Sequence, residues 1–300
     1  MRAPLTISTA TFLLLLVFIS LAVGQAGRRP NLTDARGIAL NIVASREENP
    51  ELPITAQDIA VYENGVEQPI KNFAPDASPA RIVLLVDNSL TLRADIEKLE
   101  TAAREFAYEI YDGDQLLIVG YDEQAEIVSD WTDDAKKIEA SLKSFRKKGE
   151  PHLFDALKAA AEQGLSAFLN KTQKLVIVVI GDGLDRVSHT KFDDILAQLQ
   201  KQNITVYALQ IPDRTGGALR RDQPKPTRVI EKLAEGTGGR VFTLNQPREA
   251  AQAICDELRK NRYVISYVPT GAAYGEPRRL LVVADSGISV RFKTNQPPIQ

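Results

Sequence analysis

The sequence reads IVLLVDNSLT from Ile82 to Thr91, and this stretch decides the fold. Its first half, Ile82 to Val86, is wholly apolar, which is typical of a short strand covered on both faces. A polar loop follows directly. The same succession returns at Leu175, where the apolar run LVIVVI is followed by Gly181-Asp182-Gly183. Two buried strands that end in acidic loops indicate an open parallel sheet that gathers its ligands at one edge.

Apolar strands alternate with amphipathic helices from residue 81 to residue 260. The predicted strands are 82–86, 116–121, 125–128, 175–180, 204–211 and 240–243, with 125–128 at the edge. The predicted helices are 93–111, 134–145, 153–169, 192–200, 227–235 and 247–259. This alternation predicts an α/β fold: a doubly wound, mostly parallel six-stranded sheet flanked by helices.

The two ends of the chain are predicted to form a small β appendage. Residues 37–44 are predicted to be a strand, and 59–62 and 66–73 a hairpin around Asn64-Gly65, which readily supplies the positive φ angles of a tight turn. The stretch 74–79 has the composition of a linker. The C-terminal segments 263–268, 280–284 and 288–293 alternate polar and apolar residues, as strands do. The predicted division is therefore 1–24 signal peptide, 25–79 N-terminal β segment and linker, 80–260 α/β domain and 261–300 C-terminal β segment.

The N-terminus carries an export signal. Arg2 precedes the apolar run Phe12 to Val23, and Ala22 and Gly24 supply the small residues of a cleavage site. That run is shorter than the roughly 20 residues that a membrane span needs, although an uncleaved anchor is the alternative. We therefore expect an exported chain, periplasmic, cell-surface or secreted, with no membrane span in its mature form.

Composition excludes several classes of function. The 37 Lys and Arg residues nearly balance the 39 Asp and Glu residues, so no strong field favours nucleic acid or an anionic membrane as a partner. Cys255 is the sole cysteine and is predicted to be a small buried hydrophobe. With only His152 and His189 beside it, a zinc site or a histidine-based triad is poorly supplied.

The candidate metal ligands are Asp87, Ser89, Thr91 and Asp182. The first three alternate along one loop, so their oxygens can converge, and hard cations such as Mg²⁺ prefer carboxylates, hydroxyls and water. Two ionised carboxylates about 5 Å apart repel by roughly 3 kcal/mol at an effective dielectric constant of about 20. A divalent cation turns this repulsion into attraction. On the residues alone an alternative stays open, in which Asp87 caps the following helix and Asp182-Gly183 forms a turn.

The pattern Asp87-x-Ser89-x-Thr91 resembles the metal ion-dependent adhesion site (MIDAS) of von Willebrand factor A domains, whose usual form is Asp-x-Ser-x-Ser. Gly181-Asp182-Gly183 is similar to the family's Asp-Gly loop, and 153–157 (LFDAL) to the helix that follows its metal-loop threonine. The resemblance covers residues 81–260, and the β flanks at 58–70 and 263–269 are similar to those of an exported bacterial subfamily. It implies a non-enzymatic adhesion module that holds Mg²⁺, or Mn²⁺ or Ca²⁺. A protein partner's acidic side chain would complete the metal's coordination.

One loop departs from the family's pattern. Where the family often has Gly-Gly-Thr-Ala-Leu-Tyr-Asp, this chain has Gly-Glu-Pro-His-Leu-Phe-Asp over 149–155, so Pro151 replaces the threonine hydroxyl. Water is expected to take that ligand's place, because Mg²⁺ commonly keeps several waters, and Glu150 is the alternative ligand. His152 is expected to be a loop residue, since imidazole suits softer metals.

Two other functions stay open. Pro151 leaves room for a metal-free scaffold with a degenerate site, which binds through surface loops or the β flanks. An Mg²⁺-dependent hydrolase with Asp87 as nucleophile is disfavoured, because such loops place a second carboxylate where this chain has Ser89. Asp185 and Arg186, just beyond the second loop, are expected to be solvated loop charges.

Overall fold

A six-stranded sheet forms the centre of the molecule in the computed structural model, which describes residues 37–169, 171–211, 224–270 and 276–298. The signal peptide predicted over 1–24 lies outside the described residues. In chain order the strands of this sheet are β5 (Ala80–Asp87), β6 (Gln115–Tyr121), β7 (Ala125–Thr132), β8 (Lys174–Gly181), β9 (Thr205–Gln210) and β10 (Val241–Thr243). They lie in the order β10-β9-β8-β5-β6-β7, all parallel except the antiparallel edge strand β7.

Helices cover both faces of this sheet. They are α1 (Ile96–Glu109), α2 (Ala135–Leu142), α3 (Leu153–Ala159), α4 (Phe192–Lys201), α5 (Pro226–Thr237) and α6 (Pro247–Lys260). Ile82 and Leu84 of β5 pack in one core with side chains of α1, α2 and α6. Val83 and Leu85 point the other way, into a second core with α3, α4 and α5. Successive strand residues face opposite sides of the sheet, and both sides are covered by helices, which explains why the strand runs are wholly apolar. The prediction of a doubly wound sheet is confirmed.

The terminal segments form two four-stranded sheets that pack over a third core. The strands are β1 (Ile38–Arg46), β2 (Ile59–Glu63), β3 (Val66–Gln68), β4 (Ile70–Pro75), β11 (Arg262–Tyr267), β12 (Arg278–Ala284), β13 (Ile288–Phe292) and β14 (Asn295–Gln296). One sheet has the order β13-β1-β11-β4 and the other β14-β12-β2-β3, so strands from both ends of the chain interleave. The β appendage is thereby confirmed, and the exact division into domains stays a prediction.

Three local predictions are wrong. The strand expected over 66–73 is broken at Pro69, which has no N–H to donate to a ladder, and its halves join different sheets. The stretch 74–79, predicted to be a boundary or linker, begins inside a strand, since β4 extends to Pro75, and Asp76 and Ser78 are buried. The helix expected over 153–169 changes after α3 into a π-helical turn (Ala160–Gly164) and a 3₁₀ turn (Ser166–Phe168). Gly164, a poor helix former, lies so close to β6 that a Cβ there would be 3.1 Å from Leu117 Cδ2.

Candidate functional site

The first loop begins at the carboxyl end of β5. Asp87 is the last residue of the strand and is 1% exposed, and its Oδ1 accepts a hydrogen bond from the Ser89 backbone N–H at 2.8 Å. The Ser89 and Thr91 hydroxyl oxygens lie 3.2 Å apart. Asp95, rather than Asp87, occupies the N-cap position of α1, so the helix-capping alternative is wrong. The loop therefore brings one carboxylate and two hydroxyls together.

The second loop lies directly beside the first, because β8 pairs with β5 through Val86 and Ile180. Asp182 is 7% exposed, and its Oδ1 accepts the Leu184 backbone N–H at 2.9 Å, so the predicted turn is also present. Gly181 permits the close approach of the two loops. A Cβ at this position would lie only 3.1 Å from both Asp87 Cβ and the Tyr121 hydroxyl oxygen.

Burial makes the Asp87 carboxylate electrostatically costly. Burial raises the pKa of Asp87 to about 7, and the charge of Asp182 adds to the rise, whereas hydrogen bonds from Ser89 oppose it. Asp87 Oδ2 is buried, and among the described residues it accepts no hydrogen bond of normal geometry. The Tyr121 hydroxyl faces this carboxylate and lowers its pKa slightly, without reaching full hydrogen-bond geometry. The site thus holds a buried carboxylate oxygen with unused acceptor capacity beside a second carboxylate.

Tyr121 is a member of the site that sequence reasoning missed. It is fully buried at the end of β6, directly opposite Asp87 in the sheet register. Burial, followed by the charges of Asp87, Asp182 and Asp185, raises the pKa of Tyr121 well above its usual value. Tyr121 therefore stays a neutral hydroxyl that faces the carboxylates. Its place at the end of a strand next to β5 was the available signal, but an aromatic residue there resembles ordinary core.

The third loop, 149–152, joins the other two through backbone hydrogen bonds. Leu90 N–H donates to the Gly149 carbonyl at 3.1 Å, and Arg186 N–H donates to the Pro151 carbonyl at 2.9 Å. Pro151 is buried and offers no hydroxyl. The Glu150 side chain is 47% exposed, with its Oε1 3.9 Å from Arg186 Nη1. Glu150 is thus placed at the rim of the site, facing a guanidinium.

Two carboxylates, one buried and one half-buried, hold the second loop against the start of α3. Asp185 is 1% exposed and accepts hydrogen bonds from the Phe154 backbone N–H and the Ser188 hydroxyl, so its prediction as a solvated charge is wrong. Asp155 accepts the backbone N–H groups of His189 and Thr190, both at 2.9 Å. The bonded groups are far apart in sequence but adjacent at the sheet edge. These hydrogen bonds therefore fix the second loop against the start of α3.

The residues present suit a hard divalent cation. Asp87 and Asp182 would supply negative charge, and Ser89 and Thr91 neutral oxygens, a donor set of the kind that Mg²⁺ binds together with water. Within the described ranges, no group of three or more His, Cys, Asp or Glu side chains is arranged to hold a metal ion. The candidate site therefore depends on hydroxyl ligands as well as on carboxylates.

Residues 82–184, from the start of the first apolar run to just beyond Gly183, match the family model of the von Willebrand factor type A (VWA) domain. This part of the chain is a VWA-type domain. The match includes both acidic loops, most of β5 and all of β6, β7 and β8. Comparison with curated proteins gives no match.

Several solved structures are similar to this chain. An aerotolerance-related membrane protein from Bacteroides fragilis shares 18% identity with a TM-score of 0.48, covering 60% of this chain and 99% of that one. A von Willebrand factor type A protein from Catenulispora acidiphila shares 12% identity with a TM-score of 0.48, covering 79% and 76%. Proximal thread matrix protein 1 from the mussel byssus, with a zinc-occupied MIDAS motif, shares 14% identity with a TM-score of 0.47, covering 66% and 49%. Among the described residues, no helix is both long and apolar enough to cross a bilayer.

Proposed function

We propose that this chain is an exported, non-enzymatic module that binds a protein partner through a divalent cation held by Asp87, Ser89, Thr91 and Asp182. One observation carries the proposal: the buried Asp87 carboxylate retains an unused acceptor oxygen beside a second carboxylate. Burying such a pair is costly unless a cation compensates its charge. Mg²⁺ is the ion proposed, with Mn²⁺ and Ca²⁺ as alternatives of similar ligand preference.

A protein partner follows from the position of the site and from the family. The loops lie at the open edge of the sheet, where ligands reach the carboxyl ends of the strands. In VWA domains with a MIDAS, an acidic side chain of the partner completes the coordination of the metal. The metal supplies a positive charge for that carboxylate, while Asp87 and Asp182 position the metal. Ser89 stands where a hydrolase of this kind would need a second carboxylate, which supports a binding role.

Pro151 supports a second candidate, a metal-free VWA scaffold that binds through loops or the β flanks. It is buried at the position of the family's threonine and provides no oxygen ligand from its side chain. In the metal-dependent proposal, water takes this position. Glu150 is the less favourable replacement, because its carboxylate faces Arg186.

Calorimetric titration of Mg²⁺ and Mn²⁺ into the chelator-treated full chain tests the proposal. We expect saturable binding that is lost in Asp87→Ala and in Asp182→Ala. Asp130→Ala, which removes an exposed carboxylate from β7, should bind like the wild type. If the titration of the wild type gives no binding heat, or if the two loop variants give the same heat as the wild type, the proposed metal site is wrong.

Two further measurements address partner binding and export. A partner retained from native extract in magnesium and released by chelator supports the metal-dependent function, and retention in chelator supports the scaffold. Export predicts that the protein in extracytoplasmic fractions begins after Gly24, which mass spectrometry of its N-terminal peptide can test. A cytoplasmic protein that keeps residues 1–24 would contradict export.

A further inference from the structure

Two apolar side chains project into solvent from the loops around the candidate metal site. Leu90, within the first loop, is 67% exposed, and Val187, just beyond the second loop, is 50% exposed. We call this pair the apolar rim. Exposed apolar side chains that share a small surface are typical of interaction sites, whereas isolated ones are common.

Backbone hydrogen bonds place both members of the apolar rim beside the same short segment. Leu90 N–H bonds to Gly149, and Arg186, the residue before Val187, bonds to Pro151. The first loop at Leu90 and the residue before Val187 are thus each bonded to the segment 149–151. The two members of the apolar rim therefore belong to loops that meet at the same segment beside the candidate site.

Polar contacts of neighbouring residues hold the two loops that carry the apolar rim. In the first loop Asn88 is buried, and its side-chain N–H groups donate to Asp122 Oδ2 at 3.3 Å and to the Arg146 carbonyl at 3.0 Å. In the second loop the buried pair Asp185 and Ser188 performs that task. Because these contacts fix the loops, a partner that covers the apolar rim has little backbone to order.

Charge at the rim also favours an anionic partner. Two carboxylates, Asp87 and Asp182, balance a divalent cation, so the bound metal leaves no net negative charge at its ligands. The Arg186 side chain is 36% exposed at the same edge, and its Nη1 lies 3.9 Å from Glu150 Oε1. A carboxylate that enters the site thus meets the metal and lies close to a guanidinium.

We propose that the partner presents an extended segment in which one Asp or Glu is flanked by apolar side chains. The carboxylate binds the metal, and the flanking side chains cover Leu90 and Val187. This inference rests on the proposed metal-dependent function and adds the partner's recognition sequence to it. The apolar contacts supply affinity by removing apolar area from water, and the carboxylate supplies orientation.

Three synthetic peptides separate the two parts of this proposal: Gly-Leu-Asp-Leu-Gly, Gly-Ser-Asp-Ser-Gly and Gly-Leu-Asn-Leu-Gly, each with blocked ends. Binding to the full chain is measured by NMR in magnesium that saturates each variant, and again in chelator. We expect the Leu-Asp-Leu peptide to bind at least about tenfold more tightly than Ser-Asp-Ser, because it buries two more apolar side chains. Leu90→Ser and Val187→Ser should each reduce this preference by about threefold or more. Leu281→Ser, which changes a leucine on β12 that is 53% exposed, should leave this preference unchanged.

The possible failures are distinct. Equal binding of the Leu-Asp-Leu and Ser-Asp-Ser peptides, or a leucine preference that survives both rim variants, overturns the apolar-rim inference alone. Equal binding of the Leu-Asp-Leu and Leu-Asn-Leu peptides, with no effect of chelator, overturns the metal-dependent function on which it rests.

Discussion

Replacing Asp87 with asparagine should stabilise the metal-free protein, although it removes a proposed metal ligand. Asparagine keeps the shape of the side chain and the oxygen that accepts the Ser89 N–H, but it removes the buried charge. The pKa of Asp87 is raised from 3.8 to about 7, and one pKa unit corresponds to about 1.4 kcal/mol. The ionised carboxylate therefore destabilises the fold by about 4 kcal/mol at pH 8.

The pH dependence of this effect has a definite sign. Because the pKa is higher in the folded chain than in the unfolded chain, the protonated carboxyl favours folding below pH 4. That contribution is lost as the pH rises towards 7. In chelator, the advantage of Asp87→Asn over the wild type should be about 4 kcal/mol at pH 8 and about 2 kcal/mol at pH 5.

Urea unfolding followed by the fluorescence of Trp131, the sole tryptophan, measures both values. Saturating Mg²⁺ should raise the unfolding free energy of the wild type, by about 2.7 kcal/mol at a hundredfold excess over Kd, and leave Asp87→Asn unchanged. Asp130→Asn serves as the control for an exposed carboxylate. If Asp87→Asn is less stable than the wild type in chelator at pH 8, the carboxylate is stabilised by its protein neighbours. The electrostatic argument for a cation would then be wrong.

Two further predictions concern the β appendage. Arg278 Nη1 donates to both carboxylate oxygens of the buried Glu63 at 2.8 Å. Arg278→Leu should therefore lower the unfolding free energy by about 3–5 kcal/mol, because it leaves the Glu63 charge buried without its cation. In urea unfolding, the double variant Arg278→Leu, Glu63→Leu should recover most of the lost unfolding free energy. An unfolding free energy of Arg278→Leu within about 1 kcal/mol of the wild type would refute this prediction. Burial lowers the pKa of Lys293 to about 7. The unfolded chain therefore binds this proton more readily than the folded chain, and the unfolding free energy rises with pH from about 7 to about 10. Relative to Lys293→Met, the wild type should therefore gain roughly 2–3 kcal/mol between pH 7 and pH 9.5, and parallel pH profiles of the two proteins would contradict this.

The central fold could be predicted because its strands are buried on both faces. No polar residue interrupts the runs at 82–86 and 175–180. They lie within β5 and β8, which extend each run by one or two residues at either end. The predictions that failed depend on contacts distant in sequence. The π-helical turn after α3 ends at Gly164, which packs closely against β6, and the break at Pro69 separates strands of two different sheets.

The candidate site was predictable where sequence order places residues at strand ends. Asp87 and Asp182 follow neighbouring strands, and the structure brings them close enough for the charge of one to raise the pKa of the other. Tyr121 was missed and Asp185 was wrongly predicted to be solvated, for opposite reasons. The tyrosine resembles a core aromatic residue, whereas the aspartate resembles a loop charge, and only the folded chain shows that both are buried beside the carboxylates.

The loops of the site are ordered by protein contacts, which limits what the cation has to do. Asn88 and Lys148 are joined through their backbones at 2.8 Å, and His152 donates to the Asp122 carbonyl at 2.9 Å. These bonds join the first loop to the segment that leads into the third loop, and the third loop to the residue that follows β6, without any metal ligand. A cation would therefore compensate charge on a frame that already exists, rather than assemble the frame. For the same reason substitutions of the ligands should alter metal affinity and local electrostatics while the surrounding fold persists, as the expected gain in stability of Asp87→Asn requires.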